Sequence, residues 1–252
     1  MGISVWLVPS EPESAILQRL MARHPEPGEP DAQRQASFPH FHPHVTLATV
    51  PVPVPVAAPA ALPLPPPPCG APTTTSPGPG ASNDDQSADA ERAETLLALR
   101  EAVPLGQRAV RVRFARVLAG DHYFRSIYVA LVPSRELAGL RAALALARCR
   151  GPGRPGPDEP PAFPHLSLYY VADGEAHVRA RLLQELERED VVRHSADGLG
   201  VALRCAEGGG DGGGGGGGVL EGFTGTQMWI VDCVGPVEGW KVLDKILLPV
   251  GE

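Results

Sequence analysis

Pro43-His44-Val45-Thr46-Leu47 and Pro164-His165-Leu166-Ser167-Leu168 are two copies of one pattern: a proline, a histidine and, two positions later, a hydroxyl residue. Side chains alternate faces along an extended strand, so His44 and Thr46 share one face, as do His165 and Ser167. Val45, Leu47, Leu166 and Leu168 then point the other way, into a core. The pattern therefore predicts two rigid strands, each presenting an imidazole beside a hydroxyl, opposed across a cleft.

What precedes each copy is also alike. Ile3 to Val8 reads as an apolar strand ended by Pro9, after which Ser10 and Glu13 have the spacing of a capping box for a helix through Leu20. Tyr123 to Val132 reads as a strand ended by Pro133, and Ser134 caps a helix running to Arg148. Strand, capped helix, loop and histidine strand thus occur twice at nearly constant separation. A duplicated unit with pseudo-twofold symmetry is the economical reading.

Between and beyond these units, Val110 to Val117 alternates apolar residues with Arg111, Arg113 and Arg116, the mark of a half-exposed strand with the arginines on its wet face. It is the expected hairpin partner of Tyr123 to Val132. A helix is expected over Ala90 to Val103 and a charged one over Glu175 to Glu189, with strands at Val201 to Arg204 and Thr226 to Val234. Trp240 to Leu248 reads as a last helix or strand tying the end down. Two tracts break the pattern, a Pro-rich one over about 51–88 and a Gly-rich one over about 207–218. Neither a helix nor a ladder tolerates that proline density, so both read as insertions into a single domain covering 1–252.

The chain has 252 residues, 43% of them hydrophobic, with 29 glycines and 29 prolines concentrated in those tracts. The net charge of −7 argues against general affinity for long nucleic acid, yet leaves room for a small anionic ligand held by a few local groups. Cys69, Cys149, Cys205 and Cys233 lie far apart without zinc-type spacing, which suggests reduced thiols. No leader-like or membrane-spanning run is apparent, so a soluble cytoplasmic protein, acting as a monomer, is expected.

An imidazole titrates near neutrality, so a neutral copy can take a proton from water while a protonated copy gives one to a leaving oxygen. Thr46 and Ser167 can hydrogen-bond the non-bridging oxygens of a phosphate held between the two imidazoles. Strand parity adds Trp6, Tyr128 and Tyr169 as candidates for the cleft wall, with faces suited to stacking on a base. A rival reading takes His40, His42 and His44 as alternate ligands of one metal ion, making a metal-dependent hydrolase. It leaves the second histidine motif without a role, so no metal and no cofactor are expected. A third reading, a silent scaffold displaying the Pro-rich tract, assigns no role to either histidine.

The duplicated His-x-Thr/Ser-hydrophobic pattern, in a chain opening Ile3-Ser4-Val5-Trp6-Leu7, resembles the 2H phosphoesterase superfamily, and within it the fungal and plant 2′,3′-cyclic-nucleotide 3′-phosphodiesterases. The resemblance implies a bilobal α+β fold, with two antiparallel sheets lining a central cleft and helices outside. It also implies metal-independent hydrolysis of nucleoside 2′,3′-cyclic phosphates to 2′-phosphates, and of ADP-ribose 1″,2″-cyclic phosphate, a by-product of tRNA splicing. By the same resemblance His44 and His165 are the acid and base, and Thr46 and Ser167 hold the phosphate. The sequence leaves open which histidine is the base; the preferred assignment has His165 activate water and His44 protonate the ribose oxygen. A relative acting on RNA ends, of the 2′,5′ RNA ligase-like kind, is the alternative. Fungal members are associated with the Golgi, an address that nothing in this chain encodes.

Overall fold

Ser10 and Glu13 form the reciprocal cap that their spacing predicts: the Glu13 carboxylate accepts the Ser10 backbone N–H at 3.2 Å and its hydroxyl at 2.5 Å. Glu13 also accepts the Thr224 N–H at 3.0 Å, so the cap ties the first helix to a strand more than 200 residues away in sequence. In the computed structural model, residues 2–23, 38–51, 83–148, 164–195, 197–205 and 218–251 are described. They form β1 (Gly2–Pro9), α1 (Glu11–Met21), β2 (Val45–Pro51), α2 (Asn83–Glu101), β3 (Val110–Ala119), β4 (Ile127–Leu131), α3 (Arg135–Arg148) and β5 (His165–Tyr169). After these come α4 (Ala176–Arg188), β6 (Val192–His194), β7 (Val201–Arg204), β8 (Val219–Leu220), β9 (Gly222–Asp232) and β10 (Lys241–Leu247).

The duplicated, bilobal unit with two sheets lining a cleft, expected from the sequence, is not what forms, although the class is α+β. The main sheet runs β1-β2-β5-β4-β3-β9-β10, and β1 pairs back onto β9, closing six strands into a barrel with β10 attached outside the ring. A separate sheet of three short strands, β6-β7-β8, stands apart. The closing element is β9, whose start pairs with β3 over Gly222 to Gly225 while its remainder pairs with β1 from Gly225 to Asp232. The strand starts at Gly222, before the Thr226 that the sequence suggests, and the added residues are those that join it to β3. Glycine makes the junction possible: a Cβ on Gly222 would lie 1.9 Å from the Val112 carbonyl oxygen, and one on Gly225 2.4 Å from the Leu7 side chain.

One face of each ring strand carries the aliphatic core. Ile3, Val5 and Leu7 of β1, Val45 and Leu47 of β2, Leu166 and Leu168 of β5, and Met228 and Ile230 of β9 belong to one cluster with helix residues Leu17, Leu20, Leu137, Leu140, Leu144, Leu182 and Leu186. Each such side chain removed from water contributes about 1.5–3 kcal/mol. Helices can cover only the outside of a closed ring, so this face is the outer one. The alternate residues turn inward, where Trp6, Val8, Trp229, Val231 and Cys233 form a second cluster with Trp240 packed against it.

The Pro-rich insertion expected over 51–88 and the Gly-rich one over 207–218 lie almost wholly outside the described residues, as do Cys69 and Cys149; α2 begins at Asn83, within the first of these ranges. Cys205 and Cys233 are buried free thiols. Among the described residues no helix is long and apolar enough to cross a membrane.

Candidate active site

The two histidine motifs lie on neighbouring strands in the middle of the main sheet. β2 and β5 are antiparallel and meet at Val45 and Leu166. That register sets His44 across from Ser167 and Thr46 across from His165, all four on the face turned into the ring. Neighbouring strands carry the two rows outward. Trp229, Trp6 and Thr46 are successive partners in one direction, and His165, Ala130 and Arg116 in the other. Ser167 is likewise followed by Tyr128 and Leu118.

The two imidazoles have different surroundings. His44 is 4% exposed and stacks on the Trp6 indole, with ring centres 3.6 Å apart and planes 10° from parallel. Its Nδ1–H donates to the His42 carbonyl at 2.6 Å, which fixes the tautomer and leaves the Nε2 lone pair for the site. Burial pulls its pKa down to about 3, the bond to the His42 carbonyl acts the other way, and the nearby His42 and His165 lower it further. His165 is half-buried, and the Tyr128 ring meets it edge-on at 5.1 Å. The Arg125 guanidinium lies over that tyrosine at 5.6 Å.

Thr46 is half-buried between Trp6 and His165. Ser167 is buried, and its hydroxyl donates to the Phe124 carbonyl at 3.1 Å. Burial pushes the nearby Tyr170 phenol well above its ordinary pKa, and its interaction with Ser167 offsets part of the shift. Tyr170 in turn stacks on Phe41 at 4.1 Å. Two hydroxyls and two imidazoles thus converge on one patch walled by aromatic rings, an arrangement able to grip a tetrahedral anion and move protons on either side of it.

Of the three residues expected in the wall, Trp6 and Tyr128 stand beside His44 and His165. Tyr169 does not. In the β4–β5 ladder Ile127 pairs with Tyr169 and Tyr128 with Ser167, which skips Leu168. This irregularity breaks the alternation and sends Tyr169 to the helix side, where its hydroxyl meets the Leu20 and Arg23 carbonyls at 2.9 and 3.0 Å. Tyr170 takes the inward place. Phe41, Phe124 and Trp240 also went unread: Phe124 sits in a short 3-10 turn at Tyr123–Arg125, and Trp240 follows another at Val237–Gly239, so no strand periodicity marks either one.

The three-histidine metal site does not assemble as read. His42 lies against Trp229 at 4.4 Å, donates from Nδ1 to the Pro43 carbonyl at 3.1 Å and has Nε2 3.4 Å from the Ser14 hydroxyl, while His44 is occupied by Trp6 and the His42 carbonyl. Among the described residues no three His, Cys, Asp or Glu side chains are grouped as a metal ion would require. A cavity of about 440 Å³, bounded by Gln18, Phe38, His40, His42, Tyr169 and Tyr170 among others, contains none of the four motif residues. It is a neighbour of the site rather than its centre.

In fold, E. coli LigT complexed with 3′-AMP is similar at 12% identity over 98% of each chain, with a TM-score of 0.44. A solved phosphoesterase is similar at 13% identity over 98% of each chain, TM-score 0.46, and a Thermus thermophilus protein at 12% identity over the whole of both chains, TM-score 0.41. No curated protein sequence matches the chain. The family model for cyclic phosphodiesterase-like proteins matches residues 81–248, about two thirds of the chain, a span that includes His165, Ser167, Tyr170 and Trp240. The chain thus belongs to the cyclic phosphodiesterase-like protein family and is a hydrolase of the 2H phosphoesterase superfamily.

Proposed function

We propose that the chain opens the cyclic phosphodiester of a nucleoside 2′,3′-cyclic phosphate, leaving the 2′-phosphate, with two histidines and no metal. The observation that carries this reading is the pairing of His44 with Ser167 and of Thr46 with His165 across one strand junction. Thr46 donates to one non-bridging oxygen, and Ser167 to another once its hydroxyl turns from the Phe124 carbonyl. The attacking water comes from the solvent side, where His165 is half-exposed, and His165 takes its proton. A new P–O bond forms, the bond from phosphorus to O3′ breaks, and His44 protonates the departing oxygen. Burial keeps His44 neutral in the empty site. A diester anion at the paired hydroxyls favours the imidazolium, so the substrate brings the acid form with it. Trp6 and the His42 carbonyl keep the ring aimed throughout.

A second reading places the same cyclic phosphate at the end of an RNA strand. It is favoured by Arg111, Arg113 and Arg116, all exposed on the inward-turned side of β3, with Arg116 in the row that holds His165. Hydrolysis of adenosine 2′,3′-cyclic phosphate is the test, measured with EDTA and compared with a short oligoribonucleotide ending in the same group. Activity on the mononucleotide that changes little with salt supports the first reading. Activity confined to the oligonucleotide and falling steeply with salt supports the second. Activity on neither, or activity removed by EDTA, sinks the proposal.

A further inference from the structure

Arg179 is buried where its helix has no need of a charge. It stands in the first turn of α4, only 2% exposed, although Leu182 and Leu186 already seat that helix on the core. Taking a guanidinium out of water is costly unless its partners repay it, and an apolar side chain of similar length would pack there without that cost. Its partners are few. One guanidinium nitrogen donates to the Asp173 carboxylate at 2.5 Å and to the Val171 carbonyl at 2.9 Å, while Nε has no hydrogen-bond partner among the described residues. The Asp173 side chain is itself 71% exposed, so the ion pair is open to water at one end. The buried end is the Val171 carbonyl, two residues beyond β5 and four beyond Ser167.

Val171 meets a second buried polar group. Its N–H donates at 3.0 Å to the hydroxyl of Ser126, which is fully buried. That hydroxyl has one proton and three carbonyls within reach: Tyr123 at 2.7 Å, Val171 at 3.1 Å and His122 at 3.2 Å. A charged donor already satisfies the Val171 carbonyl, so the Ser126 proton goes to Tyr123, in the turn at Tyr123–Arg125. The next carbonyl of that turn, at Phe124, is the one that receives the Ser167 hydroxyl at 3.1 Å. Resting on the phosphodiesterase reading above, we infer that Arg179 is a positioning residue for Ser167: by occupying the Val171 carbonyl it commits the Ser126 hydroxyl to the turn whose Phe124 carbonyl sets the Ser167 oxygen in place for the phosphate. Without the guanidinium the bare Val171 carbonyl competes for the Ser126 proton, and the turn loses its tie. The Ser167 oxygen then drifts. A misplacement on the order of 1 Å at a group that touches the reacting phosphate is enough to slow turnover.

The test is steady-state hydrolysis of adenosine 2′,3′-cyclic phosphate by wild type, Arg179→Met, Arg179→Lys, Ser167→Ala and the variant combining Arg179→Met with Ser167→Ala, with thermal unfolding of each. Arg179→Met should lower kcat roughly tenfold with KM little changed, a smaller loss than that of the Ser167 hydroxyl itself. Arg179→Lys keeps a charged donor and should recover part of that loss. In the Ser167→Ala background, Arg179→Met should cost nothing further, because the group it positions is gone. Equal losses in both backgrounds assign Arg179 to the fold at large and overturn the positioning role. An unchanged kcat in Arg179→Met, or full activity in Ser167→Ala, overturns it too. Where Arg179→Met does not fold, Asp173→Asn at the exposed end of the ion pair decides by the same comparison. A smaller loss of kcat is then expected beside the native Ser167 and none beside Ser167→Ala, and a loss in both, or in neither, overturns the role. A wild-type protein inactive on this substrate removes the phosphodiesterase reading itself, and the positioning role with it.

Discussion

His44 and His165 hold the same place in two copies of one pattern, one residue after a proline and two before a hydroxyl, yet the fold treats them differently. His44 is sealed against Trp6, bonded through Nδ1 and held neutral by burial; His165 is half-open, with the edge of Tyr128 against it. A motif can duplicate residue types and faces. What sets the two imidazoles apart is their neighbours, and those come from distant strands and turns.

The largest effects expected are on activity, and they can break the comparison. His44→Ala and His165→Ala should each cost about 10²–10⁴-fold in kcat. Free imidazole should restore part of the activity to His165→Ala, whose site opens to solvent, and little to His44→Ala, whose site is roofed by Trp6 and Phe41. Equal rescue of both would mean that the two imidazoles are equally open to solvent. Removing a motif hydroxyl comes next: if Ser167 and Thr46 hold the phosphate as proposed, Ser167→Ala and Thr46→Val should each lower kcat by about 10²-fold while leaving the fold intact, as circular dichroism can check.

Burial of His44 also links stability to pH. Its folded pKa of about 3 lies below the unfolded 6.5, so the folded state resists the proton that the unfolded state accepts. The contribution is fully present above pH 6.5 and is lost as pH falls toward 3, at up to about 1.4 kcal/mol per pH unit. Urea midpoints at several pH values across that range should drop for wild type and flatten for His44→Asn. An unchanged slope would place the depressed group elsewhere. Smallest of all is the contrast between adjacent tyrosines. Tyr170→Phe removes the hydroxyl beside Ser167 and should reduce kcat several-fold, whereas Tyr169→Phe should cost about 1 kcal/mol of stability and leave kcat alone.

That tyrosine pair marks how far the sequence could be read. Alternation placed His44, Thr46, His165 and Ser167 on one face and Val45, Leu47, Leu166 and Leu168 on the other, because a strand's period is a local property. It also placed Trp6 and Tyr128 correctly beside the histidines. It failed at Tyr169 because a ladder irregularity depends on β4 as well as β5, and a single strand's sequence does not carry its partner's register. Ring closure was hidden for a related reason. Gly222 and Gly225 look like loop residues until Val112 and Leu7 are found pressed against them. Phe124 sits in a turn and Trp240 follows one, where no periodicity speaks, and only the assembled fold brings both against Tyr170.

If His44 and His165 act as one centre, removing both should cost little more than removing either. Hydrolysis of adenosine 2′,3′-cyclic phosphate would be followed for wild type, His44→Ala, His165→Ala and the combined variant, with EDTA present throughout. Residues acting as a unit are strongly non-additive, so each single variant should lose nearly as much kcat as the double. Losses that multiply, or a single variant that keeps most of its activity, would show that the histidines work apart and contradict the account.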